Sequence, residues 1–331
     1  MKKNSLLIII LLVLVFIAIF TWSKNGDGVT VQKYVKDHYM NDSLISTYTS
    51  GEDQQYLSES LGLYMNYLLL GGYDKAFREQ VDVLKKHFLL SNEKGIYIRW
   101  SLDQQAAANA LIDDVRIIQA LIKGSLSFKE QEYQKLADEL RDSLVSLQYA
   151  DGLYRDFSDW TTGEPAGRIT LSYLTDDFFR TLTDTNETEE LLLNALTIEG
   201  PFFPEYYDIS KQAYQYSDEV HMVDQLLIAA NKVKRGQELP LFNNWLLTQL
   251  EEEGKVFGRY DRNSGKPLVL YESLAVYAFA YDYLLLIGEE QVAERMWNHV
   301  IELEKSIASE EEHFFDYILF HTVNDFSTAP L

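Results

Sequence analysis

Apolar residues recur at spacings of three and four along almost the whole chain after about residue 28. Leu111, Val115, Ile118 and Leu121 are one example, and that period is the mark of helices with a buried stripe. The pattern predicts helices near residues 29–40, 56–70, 73–90, 103–123, 128–149, 168–182, 187–197, 218–235, 240–253, 270–287, 289–307 and 311–321. Gly71-Gly72, Gly95, Gly124, Asp151-Gly152, Gly236 and Gly288 punctuate them where C-caps and turns belong. Strand-like alternation is brief: residues 96–100 and 256–260 are each predicted to form a short hairpin arm. No Pro/Ser-rich linker divides the chain and no fixed-period repeat is visible, so the expectation is one all-α domain over residues 26–331. About twelve helices in one domain suit an (α/α)6 barrel, a six-hairpin toroid with six inner helices, six outer ones and a groove at one end. A solenoid of helix pairs is the rival, and it would carry a repeat.

One segment departs from this pattern. Residues 6–22 are an apolar run, broken only by Thr21, behind Met1-Lys2-Lys3, near the lower limit for a membrane span. A cleaved signal peptide and an uncleaved anchor both have this form. Ser23-Lys24-Asn25-Gly26 offers no small-x-small cleavage pattern, and no Cys is present for lipidation, which favours a signal anchor within residues 1–25. Lys2 and Lys3 then stay in the cytoplasm, with the barrel on the outer face of a bacterial cell membrane, or secreted if the segment is cut.

Charge and composition narrow the chemistry. The 331 residues carry 51 acidic and 29 basic side chains, a formal net charge of -22, which argues against nucleic-acid partners. It also argues for a neutral or amino-bearing substrate over a uronate polymer. The absence of Cys excludes thiol catalysis, disulfides and Cys-ligated metal. The 22 Tyr, 17 Phe and 5 Trp suit a sugar-stacking groove and an aromatic helical core equally. Phosphate-binding loops, nucleophile elbows and His-Glu-x-x-His are missing, and the six His are scattered; His221 with Asp224 is the one pair at helical spacing on an apolar helix, read as a core His before a metal ligand.

Carboxylates among apolar residues remain. Glu59 opens an apolar helix with Gly62 one turn on, a setting that desolvates a carboxyl and favours its protonated form. Its plainer reading is a charge complementing the helix dipole. Asp113-Asp114 interrupts another apolar helix, and spacing turns Asp114 inward while Arg116 or Lys123 neutralises its neighbour. Glu272 opens a third long apolar helix after a Gly-Lys-Pro turn, a setting equivalent to that of Glu59, and Asp218 is a fallback base or an ordinary N-cap. Two carboxyls facing each other across a groove are what glycoside hydrolysis requires.

Four segments carry a resemblance in order from about residue 54 to 290. Ser58-Glu59-Ser60-Leu61-Gly62-Leu63-Tyr64-Met65 resembles the Ser-Glu-Gly-x-Gly-Tyr-Gly-Met segment of glycoside hydrolase family 8. Residues 110–121 resemble that family's Ala-Thr-Asp-Ala-Asp-Leu-Asp-Ile-Ala helix, Asp114 standing on its second Asp and Ile112 on its first. Pro201-Phe202-Phe203-Pro204-Glu205-Tyr206-Tyr207 is similar to the family's groove-lining Asn-Pro-Ser-Tyr-Phe-x-Pro-x-Tyr loop. Tyr271-Glu272-Ser273-Leu274-Ala275 resembles Tyr-Asp-Ala-x-Arg, with Glu for the Asp and Ala for the Arg. The resemblance implies an inverting hydrolase of a β-linked polysaccharide without metal or organic cofactor. Glu59 would be the acid, Glu272 the base with Asp218 as alternative, and Asp114 would bind the ring at the cleavage point. Trp100, Arg168, Tyr206, Tyr207 and Tyr271 would contact sugar. The nearest resemblance is to anchored, exopolysaccharide-linked hydrolases of Gram-positive bacteria, with synthase machinery as a partner. A non-catalytic polysaccharide-binding barrel assisting export is the competing reading, fed by Ile112 and Ala275.

Overall fold

The computed structural model describes residues 31–49, 54–198, 200–307 and 312–326. The apolar run at 6–22 lies outside them. Among the described residues no helix is long and apolar enough to cross a membrane.

The helices alternate between two roles. Helix α1 (31–38) is followed by α2 (Ser58–Leu70), α3 (Asp74–Val83), α4 (Leu111–Phe128), α5 (Gln131–Gln148) and α6 (Asp176–Thr181). Then come α7 (Asn186–Asn194), α8 (Met222–Lys234), α9 (Pro240–Glu252), α10 (Leu274–Leu286), α11 (Glu290–Glu304) and α12 (Phe314–Phe326). The even-numbered helices pack into a closed ring: α2 on α4, α4 on α6, a 3-10 turn before α6 on α8, α8 on α10, α10 on α12, and α12 back on α2. This is the (α/α)6 barrel.

Composition explains who sits where. Helices α2 and α10 are apolar on nearly every face and bury most of their residues, as an inner position demands. Helices α3, α5 and α11 bury one stripe and leave a charged face to solvent, as outer helices should. The tyrosines mostly fill this core. Tyr67, Tyr277 and Tyr283 are fully buried, and their hydroxyls donate to Asp325, Glu272 and Asn243.

The two ends of the barrel differ. Each inner-to-outer turn is short and holds one left-handed residue: Gly72, Gly236 and Gly288 at three of them, Lys129 and Asp184 at the others. The outer-to-inner connections are long and carry the sheet structure. Leu89–Asn92 pairs with Gly95–Ile98, and Arg168–Thr170 with Tyr206–Asp208 and Ala213–Gln215. Glu219–His221 pairs with Arg259–Asp261. All these loops stand at the end where the inner helices begin.

Four expected helices start later than periodicity suggested. The segment 103–110 is loop, so α4 opens at Leu111. Residues 168–173 are a strand and a 3-10 turn, because Arg168–Thr170 finds a partner in Tyr206–Asp208, a pairing local spacing does not encode. Residues 219–221 are likewise held by 259–261, delaying α8 to Met222. Ser273 caps α10 by accepting from Val276 N at 3.3 Å, so Glu272 precedes that helix instead of opening it.

Candidate active site

Six inner helices begin at one end of the ring, so their positive dipole ends converge there. Carboxylates occupy the first turns of five of them: Glu59, Asp113 with Asp114, Asp176 with Asp177, Asp224 and Asp316. The tenth helix has none and instead receives Asp316, whose Oδ1 accepts from Ser273 Oγ at 2.6 Å and Ala275 N at 2.8 Å.

Glu59 stands next to Ser58, whose backbone N–H donates to Trp100 O at 3.0 Å. That bond fixes the start of α2 against the loop bearing Trp100. Trp100 itself is 39% exposed, one of the large apolar side chains open to solvent at this end. Glu59 is only partly exposed. Burial pushes its carboxyl up to about 7, the negative charges of Asp113 and Asp316 push the same way, and Arg116 opposes them. A carboxyl held toward its protonated form near neutral pH has a proton to give.

The two Asp residues of α4 are both buried and differ in partners. Asp113 Oδ1 accepts from Arg116 Nη1 at 2.6 Å, and its Oδ2 from Ser58 Oγ at 3.2 Å. Asp114 accepts from Asn109 Nδ2, while its Oδ1 has no hydrogen-bond partner. Burial raises the affinity of Asp114 for its proton strongly, against the Asn109 bond, and Asp113 adds to it. Asn109 Oδ1 in turn accepts from Ser158 N at 2.7 Å, so Asp114 is tied to the loop crossing from the neighbouring hairpin.

On the next inner elements lie Tyr173 and Asp224. Burial raises the Tyr173 hydroxyl's pKa, and Asp156, Asp113 and Asp224 raise it further while Arg168 lowers it. One phenol thus lies among four charged groups, from α4, α8, the Arg168 strand and the loop that carries Asp156. Asp224 is half-buried in the first turn of α8 and forms no hydrogen bond or ion pair among the described residues. A half-buried carboxyl without a protein partner at the end of the ring where Glu59 lies is free to hold water.

The sheet supplies the rim. Asp156, 1% exposed, accepts from Arg168 Nε at 2.8 Å and from Thr170 N and Oγ1 at 2.5 and 2.6 Å. This presents a half-exposed Arg168 with its guanidinium over the Tyr206 ring at 5.5 Å. The 201–207 segment is pinned from behind. Gln225 of α8 accepts from Phe203 N at 2.8 Å and donates to Phe203 O at 3.1 Å. Buried Arg262 donates to Ser217 O at 2.5 Å, to Phe202 O at 3.2 Å, to Phe203 O at 2.9 Å, and to Glu205. Tyr207 pairs across the sheet with Ile169 and Tyr214.

The remaining expected residues are placed as follows. Glu272 turns toward the outer layer: Tyr277 donates to its Oε2, His299 Nε2 lies 2.7 Å away, and Lys255 Nζ 3.7 Å. Burial alone would raise Glu272's pKa, and the Tyr277 and His299 bonds together bring it below the ordinary range. The charged neighbours acting on Glu59 are Asp113, Arg116 and Asp316; neither Glu272 nor Asp224 is among them. Asp218 is exposed and contributes its backbone oxygen to Arg262 N at 2.8 Å. Tyr271 is 52% exposed and its ring lies over Gly258, where a Cβ would come within 2.4 Å.

Sequence reasoning missed Asp224, Asp316, Asp156 and Arg262 as parts of this end. Asp224 had a signal, a first-turn carboxylate on an apolar helix like Glu59, but its His221 neighbour drew attention instead. For Arg262 there is no local signal. Beneath the carboxylates a cavity of about 340 Å³ follows the barrel axis, bordered by Asn66, Arg116, Lys123, Asp177, Lys234 and Asp282. Among the described residues no group of three or more His, Asp or Glu is arranged to hold a metal ion.

No protein-family model matches the chain. It is 30% identical, over 261 residues, to the putative lipoprotein YdaJ of Bacillus subtilis, covering 76% of this chain and 70% of that protein. PssZ from Listeria monocytogenes superposes with a TM-score of 0.81 at 34% identity, covering 89% of this chain and 94% of that one. An alpha-amylase from Clostridium perfringens superposes with a TM-score of 0.77 at 17% identity, covering 89% and 96%. Cel10 of Klebsiella pneumoniae, a family 8 endoglucanase, does so with a TM-score of 0.62 at 14% identity, covering 89% and 97%. The last two likenesses establish the barrel alone.

Proposed function

The chain belongs to the glycoside hydrolase family 8-like barrel proteins, and we propose that it is an extracytoplasmic hydrolase cleaving a β-linked exopolysaccharide with inversion. The observation that carries this reading is the pairing of unlike carboxyls at one end of the ring. Glu59 is held toward its protonated form, and Asp224 has no hydrogen-bond or ion-pair partner among the described residues, which leaves it able to hold water.

In the proposed reaction Glu59 donates its proton to the glycosidic oxygen as the bond to the anomeric carbon breaks. Asp224 takes a proton from a water attacking that carbon from the opposite face, and inversion follows. Glu272 and Asp218, the bases expected from sequence, are the alternatives; the ion pairs of Glu272 with His299 and Lys255 support Asp224 over it. Asp114 serves the ring at the cleavage point only through its unpartnered Oδ1. Trp100, Tyr206, Tyr207, Tyr271 and the Asp156-held Arg168 supply stacking faces and donors along the groove. The acidic surface favours a neutral or amino-bearing polymer.

A lipoprotein relative supports attachment to the outer face of the membrane, and residues 6–22 would provide it here as a single-pass anchor, near exopolysaccharide synthase machinery. A second reading, a polysaccharide-binding barrel without catalysis, draws on Ala275, buried at 1% where the resembled motif has Arg, and on Ile112. One experiment separates them. The protein and its Glu59→Gln variant are incubated with a panel of bacterial exopolysaccharides, and new reducing ends and retained polymer are measured. A hydrolase releases reducing ends that vanish in the variant; a binder releases none in either and retains polymer in both.

A further inference from the structure

Helix α4 holds a charge pair that the proposed reaction does not use directly. Asp113 is 6% exposed and gripped on both oxygens, by Arg116 Nη1 at 2.6 Å and Ser58 Oγ at 3.2 Å. Ser58 immediately precedes Glu59. Arg116 reaches Asp113 one turn along α4, and its stem packs against Gly62 of α2, where a Cβ would stand 3.2 Å from Arg116 Cδ and 3.1 Å from Ile117 Cγ1. Burial raises Asp113's pKa, and the charge of Arg116 with the Ser58 and Arg116 hydrogen bonds opposes that rise and favours the ionised form. A fixed negative charge beside a second buried carboxyl disfavours its ionisation.

We propose that Asp113, clamped by Arg116 and Ser58, is a positioning residue whose buried negative charge keeps Glu59 in its proton-bearing form. The proposal rests on Glu59 being the acid of the reaction above. The other charged or titratable groups around the pair are Asp114 on α4, Asp316 on α12, Tyr173 on the turn before α6, and, around Tyr173, Asp156, Arg168 and Asp224. Arg116 is the cation acting on both carboxyls, so it and Asp113 pull the Glu59 proton in opposite directions.

That opposition gives the test. With the polymer that the wild type cleaves, kcat is measured from pH 4.5 to 9 for wild type, Asp113→Asn, Asp113→Glu and Arg116→Met. The basic limb reports loss of the acid's proton. Asp113→Asn removes the negative charge and leaves Arg116 unopposed, so its limb moves down by about one pH unit. Arg116→Met keeps the stem packed on Gly62 and removes the positive charge, so its limb moves up by a similar amount. Asp113→Glu keeps the charge and holds the limb at the wild-type position even where kcat falls. Shifts of opposite sign support the proposal. Lowered kcat with every limb unmoved overturns it and leaves Asp113 a structural residue. If Asp113→Asn does not fold, the Arg116→Met limb decides alone. A wild type that cleaves no polymer overturns the hydrolase reading instead. The charge claim is then judged by carbon-13 NMR of the Glu59 carboxyl, assigned by its loss in Glu59→Gln, where the same two shifts are expected and an unmoved titration contradicts it.

Discussion

Replacing Glu59 by Gln should stabilise the protein by an amount that grows from about pH 4.5 and levels off just above pH 7. The Glu59 carboxyl is raised from 4.5 to about 7, first by burial and then by Asp113 and Asp316. Below pH 4.5 the group is protonated in both the folded and unfolded chain, and its ionisation costs nothing. Between 4.5 and about 7 the folded chain keeps a proton that the unfolded chain has lost, so stability falls as pH rises. Above about 7 the whole cost is present. At about 1.4 kcal/mol for each pH unit separating the two states, it reaches about 3 kcal/mol. Gln has the same shape and no ionisation. The variant's stability minus the wild type's should therefore rise by about 3 kcal/mol between pH 4.5 and pH 8. For roughly 300 residues with about 2 cal/mol/K of unfolding entropy each, this equals a Tm difference growing by about 5 °C. Thermal unfolding of both proteins at five pH values is the assay, and any constant cost of the amide cancels in the trend. A difference flat across pH refutes the reasoning, because a carboxyl that ionises normally in the fold contributes no such slope.

Other changes have distinct signatures. Asp224→Asn should lower kcat by about 10²–10⁴ with little change in Tm, since Asp224 holds no partner among the described residues; an unchanged kcat would move the base elsewhere. Gly62→Ala places a methyl 3.1 Å from Ile117 Cγ1, and crowding of about 2 kcal/mol exceeds the helix gain of about 1 kcal/mol, a net loss to be read by urea denaturation. Lys232, 2% exposed, donates to Leu192 O, Leu193 O and Ala195 O at 2.7–3.0 Å and closes the end of α7. Lys232→Met should cost about 3 kcal/mol in the same measurement by orphaning those carbonyls, and a loss below about 1 kcal/mol would show that water replaces the ammonium.

Particular residues mark how far the sequence could be read. The helices were legible because inner ones such as α2 and α10 are apolar on every side and outer ones such as α5 are striped, a contrast written in local composition. Glu59 was legible for the same reason, a lone carboxyl entering an apolar helix. The setting of Glu272 was misread because one hydroxyl, Ser273, decides where α10 begins, and one long-range neighbour, His299, decides where the carboxylate points. Arg168 and Tyr206 were named as sugar contacts within a helix and a loop. Their placement in one sheet depends on Asp156 and on a pairing across some forty residues, which periodicity does not contain. Asp224 was visible only as a neighbour of His221, because its value lies in lacking a partner, and a sequence does not display absent contacts.

The account's central claim is that an acid and an opposed base act on one bond with water between them. Proton NMR of the first sugar released by the wild type, recorded before the anomers equilibrate, tests it most directly. The account predicts a product whose anomeric configuration is opposite to that of the cleaved linkage, formed by wild type and absent with Glu59→Gln. A product that keeps the linkage's configuration, or equal release by Glu59→Gln, would contradict it.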